Sequence, residues 1–131
     1  MSTLKTNTLT GTTSAGSILV TGEGGSTTTN LQQGLAKVWV DYNTDSSTSI
    51  SDSFNVASLT DNGTGDTTIV ITNDMASVNY CPIGSTNHDF GLLMISDNGK
   101  AAGSVDVETR NVSDSLGDCA DTAVSIHGDL A

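Results

Sequence analysis

Gly34-Leu-Ala-Lys-Val-Trp-Val-Asp-Tyr-Asn43 and Ser53-Phe-Asn-Val-Ala-Ser-Leu-Thr-Asp-Asn-Gly-Thr-Gly-Asp-Thr-Thr-Ile-Val-Ile-Thr72 read as β-structure and not as helix. From Ala36 the apolar residues recur at every second position, so Val38, Val40 and Tyr42 share one face of a strand. Lys37, Trp39 and Asp41 take the other face, which points Trp39 away from the valines, towards a second core or a subunit interface. Phe54, Val56 and Ser58 alternate with Asn55, Ala57 and Leu59. Asp61-Asn62-Gly63 is a hairpin signal, because Asn and Gly accept positive φ at little cost. The chain returns over Thr67–Thr72 with Ile69 and Ile71 on one face.

Working outward, Thr44–Ser49 is a loop or a weak edge. Val78–Ile83 reads as a strand ended by Pro82 and Gly84, and Leu92–Ser96 as one closed by the turn Asp97-Asn98-Gly99. Val105, Val107 and Thr109 alternate with Asp106, Glu108 and Arg110. Ala123–His127 is the last strand, with Val124 and Ile126 inward. Seven or eight short strands at roughly 8–14-residue spacing, joined by Gly, Asn and Asp turns, predict an all-β sandwich, jelly-roll-like or Ig-like.

Residues 1–33 differ in kind and are expected to form an extended N-terminal arm before a domain spanning 34–131. They are almost all Thr, Ser, Gly and Asn, with too little apolar surface to fold alone. Their few large apolar residues, Leu4, Leu9, Ile18, Leu19 and Val20, suit an arm that orders on a partner or winds with copies of itself. Leu31 and Leu35, four apart after Asn30, predict one helical turn between arm and domain. With Trp39, these are the candidate interface residues.

Composition narrows the function classes. Hydrophobic residues make up 35% of the 131 residues, so a lone chain buries a thin core, for which oligomerisation is a standard remedy. The formal net charge is −11, with Lys and Arg totalling 4, which argues against nucleic acid and against an anionic membrane surface as partners. The acids are dispersed, as on a solvated β surface. The first residues lack the apolar core of a signal peptide, so synthesis in the cytoplasm is expected.

Chemistry is hard to find. His88 and His127 are the only histidines. A Ser-His-Asp set can be drawn among the many serines and aspartates, but no nucleophile elbow frames it. Cys81 and Cys119 with two remote histidines make no zinc set; both cysteines are expected as reduced, buried thiols, with a disulfide formed on release into an oxidising medium as the alternative. Asp61–Asp66 and Asp114–Asp121 offer carboxylates near glycine turns without the calcium-loop pattern. No cofactor, no metal and no enzymatic activity are therefore expected. Of the aromatics, Trp39, Tyr42, Phe54 and Tyr80 are placed within strands; Phe90, in a loop beside His88, is the best candidate for contact with a sugar.

The start Ser-Thr-Leu-Lys-Thr-Asn-Thr-Leu, the Gly34–Asn43 segment and Ser-Phe-Asn-Val-Ala-Ser-Leu-Thr-Asp-Asn-Gly-Thr-Gly-Asp resemble small virion proteins of tailed bacteriophages. These are tail-fibre-like, head-decoration or short-fibre proteins of phages of marine bacteria and cyanobacteria. The likeness covers residues 2–10 loosely and 34–72 well, and Thr67-Thr68 stand where the pattern has an aromatic. The resemblance implies a virion component, a homotrimer that contacts other virion proteins of capsid or tail. Its arm would anchor it, and its β domain would project. A capsid decoration (cement) protein or short head fibre is the leading expectation. The alternative is a tail-fibre module that recognises a host surface glycan or protein.

Overall fold

The computed structural model describes residues 3–12, 18–87 and 92–131. The chain divides after Leu35 into two compact units, and its described residues form ten strands and no α-helix.

The N-terminal unit is built on one hairpin, β1 (Leu19–Thr21) paired antiparallel with β2 (Thr28–Asn30). Gly22 N–H donates to Thr27 O at 2.8 Å to close the turn, in which Gly25 adopts φ 73°. Ile18-Leu19-Val20 thus supplies the strand that its β-prone residues favour. The single turn expected between Leu31 and Leu35 is present. Asn30 Oδ1 accepts from Gln32 N–H at 2.8 Å, the geometry of an N-cap, and Gly34 N–H reaches back to Asn30 O at 3.3 Å. Gly34 and Leu35 belong to this unit, so its edge lies slightly beyond residue 33.

The second unit is a β-sandwich of two antiparallel four-stranded sheets. One sheet has the order β4-β3-β10-β7, from β3 (Val38–Asn43), β4 (Ser49–Phe54), β7 (Cys81–Thr86) and β10 (Thr122–His127). The other has the order β5-β6-β9-β8, from β5 (Val56–Gly63), β6 (Asp66–Ile71), β8 (Leu92–Ala101) and β9 (Ser104–Arg110). Hairpins β3-β4, β5-β6 and β8-β9 stay within a sheet; the other connections cross between sheets.

Alternation places the core. Val38, Val40, Tyr42, Val124 and Ile126 from the first sheet meet Ile69, Ile71, Val105 and Val107 from the second, all buried. Every inward position expected on β3, β6, β9 and β10 is buried, Thr109 included. Met75 and Tyr80, between β6 and β7, complete the cluster. Tyr80 Oη lies 2.8 Å from Ser104 O and 3.0 Å from Ala101 O, so one phenol holds the β8-β9 turn. Burial, partly offset by the Ala101 hydrogen bond, pushes that phenol up to about 12.

Four expectations about local structure are corrected. The alternating run Phe54–Leu59 is not one strand. Asn55, at φ 60°, breaks it, and the chain crosses from β4 in one sheet to β5 in the other. Asn55 is anchored on both sides. Its Nδ2 donates to Lys37 O (3.1 Å) and Asn73 O (3.0 Å), and its Oδ1 accepts from Asn73 N–H (2.8 Å). A short polar side chain that tolerates the left-handed region and satisfies its neighbours' backbone is what such a corner requires.

The β5-β6 turn falls later than Asp61-Asn62-Gly63. Gly63 pairs with Asp66, leaving Thr64-Gly65 at the tip. Gly65 has φ 67°, and a Cβ there would lie 2.5 Å from Gly117 N, so only glycine fits. Asp97-Asn98-Gly99 does not end a strand. It sits in an irregularity of β8 between Ile95 and Lys100, and the true turn is at Ala102-Gly103.

The seventh strand runs Cys81–Thr86, not Val78–Ile83, so Pro82 and Gly84 lie inside it. Pro82 is tolerated because β7 is an edge strand, where one side of the backbone needs no ladder bond. Gly84 faces the other sheet: a Cβ there would come within 2.4 Å of Leu93 Cδ2 and of Ala123 O. Thr44–Thr48 is the expected loop, and Ser49 opens the edge strand β4.

Candidate functional site

The two sheets hide their inner faces in the same core and differ on their outer faces. On the β5-β6-β9-β8 sheet the outward positions of β6 and β9 are polar or charged apart from Val70, and several satisfy one another. Thr68 pairs across the ladder with Thr60 and Asp106. Thr68 Oγ1 donates to Asp106 Oδ1 at 2.6 Å and accepts from Asn62 Nδ2 at 2.8 Å. Arg110 Nε donates to Glu108 Oε2 at 2.7 Å, and its Nη1 reaches Asp114 Oδ1 at 3.0 Å.

The outer face of β4-β3-β10-β7 is different. Register carries one row across all four strands: Phe54 opposite Trp39, Trp39 opposite Ser125, Ser125 opposite Ile83. Phe54 is 53% exposed, Trp39 37% and Ile83 55%. The next row reads Asp52, Asp41, Ala123, Ser85. A shallow depression lined by Ile83, Gly84, Ser85, Ala123 and Ser125 lies on the β10-β7 half. Ser125 Oγ sits 3.5 Å from His127 Nε2, at the outer limit of a hydrogen bond. Clustered aromatic and aliphatic side chains of this kind mark contact surfaces.

The candidate interface residues fall in two groups. Trp39 faces outward from β3 as its alternation requires. Leu4 (78% exposed), Leu9, Leu19, Val20 and Leu35 are exposed in the N-terminal unit, while Ile18 and Leu31 are half-buried and joined by the Leu31 N–H to Ile18 O bond of 2.8 Å. Among its described residues that unit buries none. Lys5 and Glu23 are the only charges before Ala36, so the net −11 resides on the sandwich. Phe54 and Ile83 escaped the sequence reading as partners of Trp39. They lie far apart in the chain, and only strand register aligns them.

The residues weighed for chemistry are dispersed. His88 and Phe90 lie outside the described residues. Neither Cys81 nor Cys119 is in a disulfide. Cys119 is buried, and burial pushes its thiol up, which disfavours the reactive thiolate. Cys81, expected buried, is exposed: it occupies the edge strand opposite His127, on the outer face.

The carboxylates of the glycine turns hold backbone. Asp61 Oδ1 accepts from Gly63 N–H at 2.9 Å, and Asp118 Oδ1 from Gly65 N–H at 2.7 Å. Among the described residues no group of three or more His, Cys, Asp or Glu could hold a metal ion, and no helix is long and apolar enough to cross a membrane. Comparison with known proteins returns no matching family model, no matching curated protein and no matching solved structure.

Proposed function

We propose that this protein is a structural component of a tailed-phage particle, a capsid decoration (cement) protein or short head fibre, attached through its N-terminal arm. The observation that carries the reading is the contrast between the two units. The sandwich has its own core, whereas the N-terminal unit buries none of its described residues and exposes Leu4, Leu9, Leu19 and Val20. A segment that cannot cover its own leucines gains stability when another surface covers them.

The same arm is nearly free of charge, so the repulsion that keeps an acidic domain dispersed does not oppose its docking. In this reading the protein is made in the host cytoplasm and ends in the virion as a homotrimer. It carries out no catalysis and needs no cofactor.

The test is attachment. Deletion of residues 1–33 is expected to abolish binding to particles that lack the protein while the sandwich keeps its β circular-dichroism spectrum. Binding that survives the deletion overturns the anchoring role. Imaging of labelled protein on intact particles distinguishes a coat of copies on the head from copies at the tail.

One observation favours a second reading, a receptor-binding module. The exposed Trp39–Phe54 pair offers ring faces on which a host glycan could stack. Retention on host-surface glycans that is lost in Trp39→Ser and kept without residues 1–33 would favour it.

A further inference from the structure

We propose that copies of this chain meet through the outer face of the β4-β3-β10-β7 sheet, packed half over half. The aromatic β4-β3 half of one copy lies on the β10-β7 half of the next. This deepens the homotrimer of the reading above and rests on that part of it alone.

The face is divided in shape. Its β4-β3 half presents Phe54 and Trp39, the two bulkiest exposed side chains among the described residues of the sandwich. Its β10-β7 half is low. Ala123, Ser125 and Ser85 are small, and with Ile83 and Gly84 they line the depression. A knob and a hollow on one surface complement each other in a second copy, as a two-fold pair or as a ring of three sheets facing one axis.

The face is also divided in charge. Asp41 and Asp52 stand opposite each other on the aromatic half, an arrangement that is unfavourable in the lone subunit. The β10 and β7 residues facing outward across the same rows are Ala123, Ser125, His127, Cys81, Ile83 and Ser85, none of them acidic. Laid aromatic half on aromatic half, two copies would bring four carboxylates together. Laid half over half, each acid pair meets a half without acids. For a chain of net charge −11, of these two registers the half-over-half one carries less repulsion.

Edge-to-edge association through β7 is disfavoured, because Pro82 within it has no N–H to give a new strand. Strand spacings of ~4.8 Å and rises of ~3.3 Å make such a face about 20 Å on a side, below the ~800 Å² per partner of a standard interface. Association is therefore expected to be concentration-dependent.

The experiment is sedimentation of the purified full-length chain from about 1 to 100 μM, where weak interfaces of this size dissociate. The wild type is expected to form dimers or trimers at the upper end. Trp39→Ser removes the knob, and Ser125→Glu places an acid where the neighbour's Asp41 and Asp52 arrive. Each is expected to weaken association roughly tenfold or more, with an unchanged circular-dichroism spectrum. Phe54→Ser replaces Trp39→Ser if the latter fails to fold.

A mixture of Trp39→Ser and Ser125→Glu chains is expected to associate more tightly than either alone. The first keeps a good hollow and the second a good knob. A wild type that stays monomeric at ~100 μM overturns the proposal. So does wild-type association by both variants, or a mixture no tighter than its components. Glycan retention through Trp39 by a monomeric wild type would assign the face to a receptor instead. No particle enters this measurement, so its failure and the failure of arm attachment are separately visible.

Discussion

The two outer faces of the sandwich share a core and a backbone geometry and differ in what their side chains need. On the β5-β6-β9-β8 face, Asn62, Thr68, Asp106, Glu108 and Arg110 close their hydrogen bonds within the subunit. On the β4-β3-β10-β7 face, Phe54, Trp39 and Ile83 stay in contact with water. One face meets many of its polar needs within the single chain, and the other leaves its largest apolar side chains exposed, which is the contrast the proposed association rests on.

The widest test of that contrast acts behind both faces. Ile126 is fully buried in the shared core, and Ile126→Ala is expected to cost about 2–5 kcal/mol in denaturant unfolding. Unfolding should stay a single transition seen alike by tryptophan fluorescence and circular dichroism. Two transitions would mean that the sheets are separate folding units.

Next comes the corner where the chain changes sheet. Asn55→Ala loses the side-chain bonds to the Lys37 carbonyl and to the backbone and side chain of Asn73, and leaves a non-glycine residue at φ 60° without them. A loss of about 2–3 kcal/mol is expected. Asn55→Gly should recover the backbone part of it; equal losses would show that strain contributes nothing.

Alkali probes the staple beside the acidic face. The Tyr80 phenol titrates at about 12 in the folded chain against 10.0 for an ordinary tyrosine. Above pH 10 the unfolded chain therefore sheds this proton first. Stability should fall between pH 10 and 12, by at most about 1.4 kcal/mol for each pH unit from this group. Tyr42, raised further by burial, acts in the same direction. Tyr80→Phe should flatten the decline in chemical denaturation curves, and an unchanged slope would remove Tyr80 from it.

The smallest effects compare the faces directly. Thr68→Val breaks the chain from Asn62 to Asp106 and is expected to cost about 0.5–1.5 kcal/mol. Phe54→Ser, measured at dilutions where the subunit is alone, should lie within about 0.5 kcal/mol of wild type. Equal losses would erase the distinction between the faces.

Much of this was legible from alternation. Val38-Trp39-Val40-Asp41-Tyr42, Ile69-Val70-Ile71 and Val105-Asp106-Val107 each declare which side is buried, because side chains of a strand alternate and water selects the face. Trp39 could be placed outside for the same reason. The misreadings share a cause too. Asn55, Gly65 and Asn98 use positive φ for a sheet-to-sheet corner, a hairpin tip and a strand irregularity, which as residue types all look like turns. Pro82 and Gly84 look like strand ends, yet lie inside a strand because its outer edge pairs with nothing and its inner side is crowded by Leu93. The exposure of Cys81 follows from that same shift.

The amino-acid sequence by itself determined an acidic, all-β chain, the inward residues of its central strands, the outward Trp39 and a leading segment without a core. These follow from local periodicity and composition, which act between neighbours along the chain. Tertiary structure alone decided that Phe54, Trp39 and Ile83 form one row, with two acids on one half of their sheet and a hollow on the other. Strand order and register set those neighbours, and both are fixed by packing between segments tens of residues apart.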